Sequence, residues 1–182
     1  MKTPQQSTAD RVTGDERQQY LTFLCQGETF ALSILCTKEI IEYGTLTTVP
    51  MMPGFVRGVI NLRGRVVPVL DLAVRFGQQA SQPTRRTCIV IVEVGTGEEQ
   101  QDIGIIVDAV NKVIEIPSED IEPPPSFGTR LRNDFLQGLG KVEGDFVILL
   151  DSERVLAVDE IAQLTQSPRQ HEADSALATA LA

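Results

Sequence analysis

The stretch Gly58-Val59-Ile60-Asn61-Leu62-Arg63-Gly64-Arg65-Val66-Val67-Pro68-Val69-Leu70-Asp71-Leu72 decides the fold of this 182-residue chain. Its two apolar runs, on either side of Arg63-Gly64, are rich in Val and Ile, which favour strands over helices. Gly64 can adopt the positive φ that a tight hairpin connection needs. The stretch therefore predicts a β-hairpin with Arg63 at its tip. Pro68 lacks an N–H, so we expect it on an edge strand, at a bulge or where strands splay apart.

Similar short apolar runs lie on both sides of this hairpin. Alternating residues predict a first hairpin over residues 20–34, and the spacing of Ile40 and Ile41 predicts two turns of helix over residues 36–42. A short strand is expected at residues 45–49, and a buried strand at residues 87–94.

The second half of the chain continues this pattern. Residues 102–116 form a long β run whose phase slips near Asp108, where we expect a bulge or bend. A last hairpin is predicted over residues 135–150, and a short helix capped by Asp151 follows it.

About ten short strands in two similar groups predict an all-β fold of two small five-stranded barrels. The polar residues 77–86 are the expected connection, which gives one lobe of about residues 19–83 and a second of about residues 84–164. Residues 1–18 and 165–182 are polar and aperiodic, and we expect a disordered arm and a disordered tail.

Composition excludes several classes of function. The formal charge of −9 argues against general affinity for nucleic acid or anionic membranes. No apolar run reaches the ~20 residues of a membrane span, and residues 1–19 lack the apolar core of a signal peptide, so a cytoplasmic protein is expected. The three cysteines, Cys25, Cys36 and Cys88, are typical of buried thiols in a reducing compartment.

Charge is unevenly distributed along the chain. Residues 45–90 hold six arginines and one acid, whereas residues 91–164 hold five basic and sixteen acidic residues. Two interpretations are open: drift along a solvated surface, or two lobes of opposite charge that orient different partners.

No catalytic or metal-binding pattern is present in the sequence. The single histidine, His171, lies in the polar tail, and the cysteines lack metal-ligand spacing. Gly138-Leu139-Gly140 followed by Lys141 fits neither Gly-rich nucleotide-binding fingerprint. The sequence therefore indicates a binding protein without cofactor, metal or catalytic residues, and an enzyme with an unfamiliar site is the alternative from another class.

At this point the motifs resemble those of the CheW family. They are Lys38-Glu39-Ile40, Val49-Pro50 with Pro53, Gly58-Val59-Ile60-Asn61-Leu62-Arg63-Gly64, Val67-Pro68-Val69, Asp71-Leu72, Gly104-Ile105-Ile106-Val107-Asp108 with Val110 and Val113, Pro123-Pro124-Pro125 and Gly138-Leu139-Gly140. The resemblance spans residues 20–164. It implies two SH3-like five-stranded barrels that share a hydrophobic core, with short helices and no catalytic activity.

The resemblance also implies partners. It predicts a cytoplasmic scaffold, recruited to membrane-associated receptor arrays without inserting into the membrane, that couples chemoreceptors (methyl-accepting chemotaxis proteins) to the histidine kinase CheA. The receptor tip would bind between the lobes, and the regulatory domain of CheA at the barrel ends. A CheW-like adaptor in an array controlling motility, development or a second messenger is the alternative.

The receptor-binding residues that the resemblance implies are Thr37, Glu39, Gly58, Asn61 and Arg63. Glu39 and Arg63 are expected to face one another across the groove. The chain departs from the family pattern at Thr37, where the family usually has Val, and at Ala73, where Arg is common.

Overall fold

The computed structural model describes residues 16–125 and 133–156, most of which lie in two packed β-sheets. Two short α-helices, α1 (Leu72–Arg75) and α2 (Ser152–Leu156), and 3-10 turns at Gly97–Glu99, Ser118–Asp120 and Asn133–Phe135 connect them. The strands are β1 (Arg17–Cys25), β2 (Glu28–Ser33), β3 (Thr37–Glu42), β4 (Val56–Leu62), β5 (Arg65–Asp71), β6 (Cys88–Val94), β7 (Gln101–Val107), β8 (Ala109–Pro117), β9 (Ile121–Glu122), β10 (Leu136–Val142) and β11 (Asp145–Leu150).

The two sheets interleave strands from both halves of the chain. One sheet has the order β8-β1-β2-β11-β10-β9 and the other the order β3-β6-β7-β5-β4. The N-terminal hairpin β1–β2 pairs on one side with β8, Tyr20 lying opposite Ile114, and on the other with β11, where Phe30 lies opposite Ile148. The predicted division into lobes of residues 19–83 and 84–164 is therefore wrong, because proximity in sequence did not decide which strands pair.

The chain changes sheets at Asp108, between β7 and β8. The Asp108 N–H donates to the Leu24 carbonyl at 2.9 Å, and its carboxylate accepts from the Gln26 N–H at 2.8 Å. The bend predicted here is confirmed, and it is a crossing point between sheets. The connection over residues 77–86, by contrast, joins β5 and α1 to β6 of the same sheet, so its predicted role between lobes is wrong.

The segment predicted as helix over residues 36–42 is strand β3. Thr37 lies opposite Val92 and Glu39 opposite Ile91, so Lys38 is an extra residue that forms a bulge. Ile41 packs against the apolar cluster of this sheet while Ile40 is 44% exposed. The two adjacent isoleucines suggested a helical period, but they point to opposite faces of a strand.

The strand predicted at residues 45–49 is reduced to one bridge. Thr47 and Val59 exchange two backbone hydrogen bonds of 3.0 and 2.8 Å. Pro68 lies opposite Val59, one residue before β5 begins to pair with β7 at Val69. The expectation that Pro68 lies where strands splay apart is therefore met. Pro68 precedes the residues of β5 that pair with β7, so no hydrogen bond to β7 requires an N–H group at this position.

One hydrophobic core is shared by both sheets, as predicted. It buries Phe23 and Phe30 from one sheet with Val90 and Ile103 from the other. The Phe30 ring also stacks on Phe76, with centroids 5.2 Å apart. Smaller apolar clusters fill each sheet's own interior. The all-β class with a shared core is confirmed, and this architecture is consistent with two SH3-like barrels.

A cation fastens the two sheets at the edge of this core. The Arg75 guanidinium lies 4.7 Å from the Phe55 ring centre and 4.9 Å from that of Phe135. Its Nε also donates to the Val155 carbonyl at 2.8 Å. Arg75 thereby joins α1, which follows the β4–β5 hairpin, to α2 near the end of the described chain.

The ends of the domain are only partly described. β1 begins at Arg17, so the predicted arm of residues 1–18 extends two residues too far. Residues 1–15 and 157–182, including the tail predicted over residues 165–182, lie outside the described residues. The predicted cap is confirmed, because the Asp151 carboxylate accepts from the N–H groups of Glu153 and Arg154 at 3.1 and 3.2 Å. No helix among the described residues has the length and apolarity to span a membrane.

Asp71 is the one charged side chain that is fully buried among the described residues. Its Oδ1 accepts from the Ala73 N–H at 3.0 Å and its Oδ2 from the Ser81 N–H at 3.1 Å. The Arg57 guanidinium approaches to 3.7 Å. Asp71 therefore caps α1 and also fixes the connection to β6.

We predict that Asp71→Ala lowers the free energy of unfolding by about 2–4 kcal/mol, because it removes a cap and leaves buried donors unsatisfied. The matched control is Asp151→Ala, which removes a less buried cap and should cost about 0.5–2 kcal/mol. Urea unfolding of the three proteins measures both values. An Asp71 variant no less stable than the Asp151 variant would contradict the role assigned to Asp71.

The Cys25 thiol is buried in the shared core and is reduced. Burial raises the pKa of Cys25 from 9.0 to about 12, and the carboxylates of Asp108 and Asp71 add to the effect. Because the unfolded chain loses this proton first, the thiol's contribution to stability is complete below pH 9 and is lost between pH 9 and 12.

We therefore predict that the stability gap between the protein and Cys25→Ala narrows as the pH rises above about 9, by up to about 1.4 kcal/mol per pH unit. The measurement is urea unfolding of both proteins at neutral pH and near pH 10. Both proteins contain the other titrating groups, so the difference between their free energies of unfolding isolates Cys25. A difference that stays constant with pH would show that folding does not raise the pKa of Cys25.

Candidate functional site

The tip of the β4–β5 hairpin is a two-residue turn with both residues in the left-handed region. Arg63 has φ 52° and Gly64 has φ 82°, between the opposed residues Leu62 and Arg65. Two positive φ angles are the signature of a type I′ turn. The Asn61 Oδ1 accepts from the Gly64 N–H at 2.8 Å and braces the turn. The sequence predicted the turn and the glycine, but not that Arg63 shares its conformation.

Arg63 pairs with Glu39 of the edge strand β3. The Arg63 Nη2 lies 2.9 Å from the Glu39 Oε2, and the side chains are 79% and 25% exposed. The predicted pairing is confirmed, although Glu39 lies in a strand rather than at the end of a helix. The carboxylate holds one side of the guanidinium while its remaining N–H groups face solvent.

This ion pair borders a pocket of about 310 Å³ in the five-stranded sheet. Ile91 belongs to the apolar cluster inside this sheet and Leu62 packs against it, so together they supply an apolar floor. The side chains around the pocket are Lys38, Glu39, Leu62, Arg63, Arg65, Ile91 and Asp102. The pocket thus combines an apolar floor with a charged rim.

A second ion-pair network completes the rim, and sequence analysis did not identify it. The Lys38 Nζ lies 2.7 Å from the Glu93 Oε2 and 2.8 Å from the Asp102 Oδ1. The Arg65 Nη1 lies 3.4 Å from the Asp102 Oδ2. Hydrogen bonds to Asp102 and then to Glu93 raise the pKa of Lys38, so its charge is secure at neutral pH.

Uneven charge along the chain was the sequence signal for this network. The basic stretch supplies Arg65 and the acidic stretch supplies Glu93 and Asp102, but all three lie in one sheet. For these residues, the interpretation of two oppositely charged lobes is wrong. Parallel pairing of β5 with β7 brings the two stretches together.

The other predicted receptor-binding residues lie outside the pocket lining. Thr37 donates its hydroxyl to the Ser33 carbonyl at 3.1 Å, at the turn that enters β3. Gly58 is buried, and a Cβ there would lie 2.5 Å from the Thr47 carbonyl oxygen. The structure therefore brings Glu39 and Arg63 together, with Asn61 bracing the turn that carries Arg63. Gly58 lies apart from them and permits the close approach of residues 46–47 to β4.

The side chains of this site are suited to binding charged groups through hydrogen bonds and ion pairs. Within residues 16–125 and 133–156, no group of three His, Cys, Asp or Glu side chains could hold a metal ion. The rim offers guanidinium and ammonium donors on rigid strands, and the floor offers aliphatic surface. Such a combination is typical of a surface that binds another protein.

Comparison with known proteins gives concordant results. A family model described as "CheW-like domain" matches residues 19–160. The chain is 33% identical over 166 residues to a chemotaxis protein CheW of Klebsiella aerogenes, covering 91% of this chain and 98% of that protein. A chemotaxis protein CheW of Rhizobium meliloti is 30% identical, with 85% and 96% covered. The crystal structure of the scaffolding protein TtCheW from Thermoanaerobacter tengcongensis superposes with a TM-score of 0.68 at 34% identity, over 75% of this chain and 86% of that one.

The geometry of the tip predicts the effect of changing Arg63. We expect Arg63→Gly to be more stable than Arg63→Ala by about 0.5–1 kcal/mol, because glycine adopts a positive φ without the cost imposed by a Cβ. Both variants lose the ion pair with Glu39, so the comparison isolates the backbone. Thermal and urea unfolding measure the difference. An alanine variant as stable as the glycine variant would mean that residue 63 is not left-handed in solution.

Proposed function

The chain belongs to the CheW-like domain family, and we propose that it is a non-catalytic scaffold that couples chemoreceptors to the histidine kinase CheA. The observation that carries this proposal is the family match over residues 19–160 together with relatives named chemotaxis protein CheW that align over nearly their whole length. The similar solved structure is itself described as a scaffolding protein. The protein would act in the cytoplasm at membrane-associated receptor arrays.

Coupling requires at least two separate binding surfaces on one rigid body. The shared core and the interleaved strands support such a body, because neither sheet is formed from one half of the chain. We propose that residues 19–164 act as this single unit. The receptor tip would bind beside the Arg63 hairpin, and the regulatory domain of CheA would bind at the barrel ends.

We propose that the receptor-binding residues are Thr37, Glu39, Gly58, Asn61 and Arg63, acting in different ways. Arg63 would contact the receptor directly, since its side chain is 79% exposed on a rigid turn. Glu39 orients the guanidinium, and Asn61 braces the turn. Thr37 and Gly58 would act by fixing the backbone of β3 and the approach of residues 46–47 to β4.

We predict that Arg63→Ala weakens binding to a chemoreceptor tip fragment by about thirtyfold, the loss typical of an interface hot spot. Binding to the CheA regulatory domain should be nearly unchanged. The fold should lose no more than about 0.5–1 kcal/mol, because the ion pair is solvent-exposed. Titrations with each partner and a thermal melt measure the three effects.

The matched control is Arg85→Ala, which removes the same side chain from an exposed connection away from the hairpin. It should bind both partners as the unchanged protein does. If the unchanged protein binds neither the receptor tip nor the CheA regulatory domain, the coupling function itself is contradicted. Equal loss of both partners in Arg63→Ala, with a clear drop in melting temperature, would show that Arg63 acts in folding.

A further inference from the structure

The rim of the pocket presents cations to solvent and keeps its acids recessed. The side chains of Arg63 and Arg65 are 79% and 66% exposed, whereas those of Glu39 and Asp102 are 25% and 10% exposed. A partner that approaches the hairpin therefore meets two guanidinium groups first. The acids lie behind them and hold them in place.

Arg63 and Arg65 are positioned from both sides of one turn. They are separated only by Gly64, and each is held by a carboxylate from another strand: Glu39 on β3 holds Arg63, and Asp102 on β7 holds Arg65. Lys38 binds Asp102 at 2.8 Å and Glu93 at 2.7 Å, and so offsets part of the charge of both carboxylates. The Arg65–Asp102 contact of 3.4 Å is long, which leaves Arg65 able to bond more strongly to an incoming group.

We propose that this rim is a carboxylate-binding site, in which Arg63 and Arg65 together bind a Glu or Asp side chain of the partner. Arg65 is its second anchor, and Asp102, which Lys38 also binds, positions Arg65. The proposal rests on the proposed function, since the occupant is an acidic side chain at the tip of the receptor hairpin. It adds a chemistry and three residues that were not among the predicted site residues.

Charge and shape favour this occupant over others. A guanidinium fork matches a carboxylate in two parallel hydrogen bonds, and two forks on one turn can share its two oxygens. A basic side chain would face two exposed guanidiniums. The apolar floor of Leu62 and Ile91 suits the methylene stem of Glu, with its carboxylate at the rim.

The test uses the full chain and a receptor tip fragment whose acidic residues are changed one at a time to Gln or Asn. Arg65→Gln should weaken binding by about tenfold, as loss of a well-oriented interfacial charge pair does. Arg65→Lys, which keeps the charge but not the fork, should lose about threefold. Arg85→Gln is the matched control and should bind normally.

A double-mutant cycle identifies the carboxylate. For one acidic position of the tip, removing the acid should cost little further affinity once Arg65 is Gln, and the effect of Arg65→Gln should shrink at high salt. Normal tip binding by Arg65→Gln, or additive losses at every acidic position, would overturn the proposal while leaving the coupling function intact. If the unchanged protein captures neither the tip nor CheA, the proposed function itself fails.

Discussion

Burial of both sheets against one core is the constraint on which the rest of the structure depends. The N-terminal hairpin completes a sheet whose other strands come from the second half of the chain, so neither sheet closes without the other half. Each fully buried Val, Ile, Leu or Phe side chain contributes roughly 1.5–3 kcal/mol, and the core takes them from both sheets. A cooperative body results, and binding surfaces far apart in sequence acquire a fixed geometry.

The proposed recognition site depends on that geometry because its charged groups come from several strands and from the hairpin turn. Glu39 lies on β3, Arg65 begins β5, and Asp102 lies on β7. Parallel pairing of β5 with β7 and the bulge at Lys38 bring these side chains around one pocket. The hairpin tip then carries Arg63 out of the sheet on a turn whose two residues are both left-handed. Because the turn and the strands are already ordered, less conformational entropy is lost when a partner binds.

Local patterns predicted the elements that depend on neighbours in sequence. The central hairpin, the Asp151 cap and the bend at Asp108 follow from Val and Ile runs, an N-cap residue and a slip in alternation. The helix predicted over residues 36–42 is a strand, because the adjacent isoleucines Ile40 and Ile41 imitate helical spacing. A bulge at Lys38 sets Thr37 opposite Val92 and Glu39 opposite Ile91. The family resemblance supplied the pairing of Glu39 with Arg63, which no local pattern could have indicated.

What the sequence by itself determined is the strand content, the charge of the Arg63 turn and the family. Those properties are set by side-chain shape, turn chemistry and motif order over a few residues. Only the tertiary structure decided which strands share a sheet, that Gly58 is buried against Thr47, and that Lys38, Arg65 and Asp102 meet at one rim. Strand pairing between distant segments is fixed by how the whole set of apolar faces can be buried together, and no short stretch of sequence carries that information.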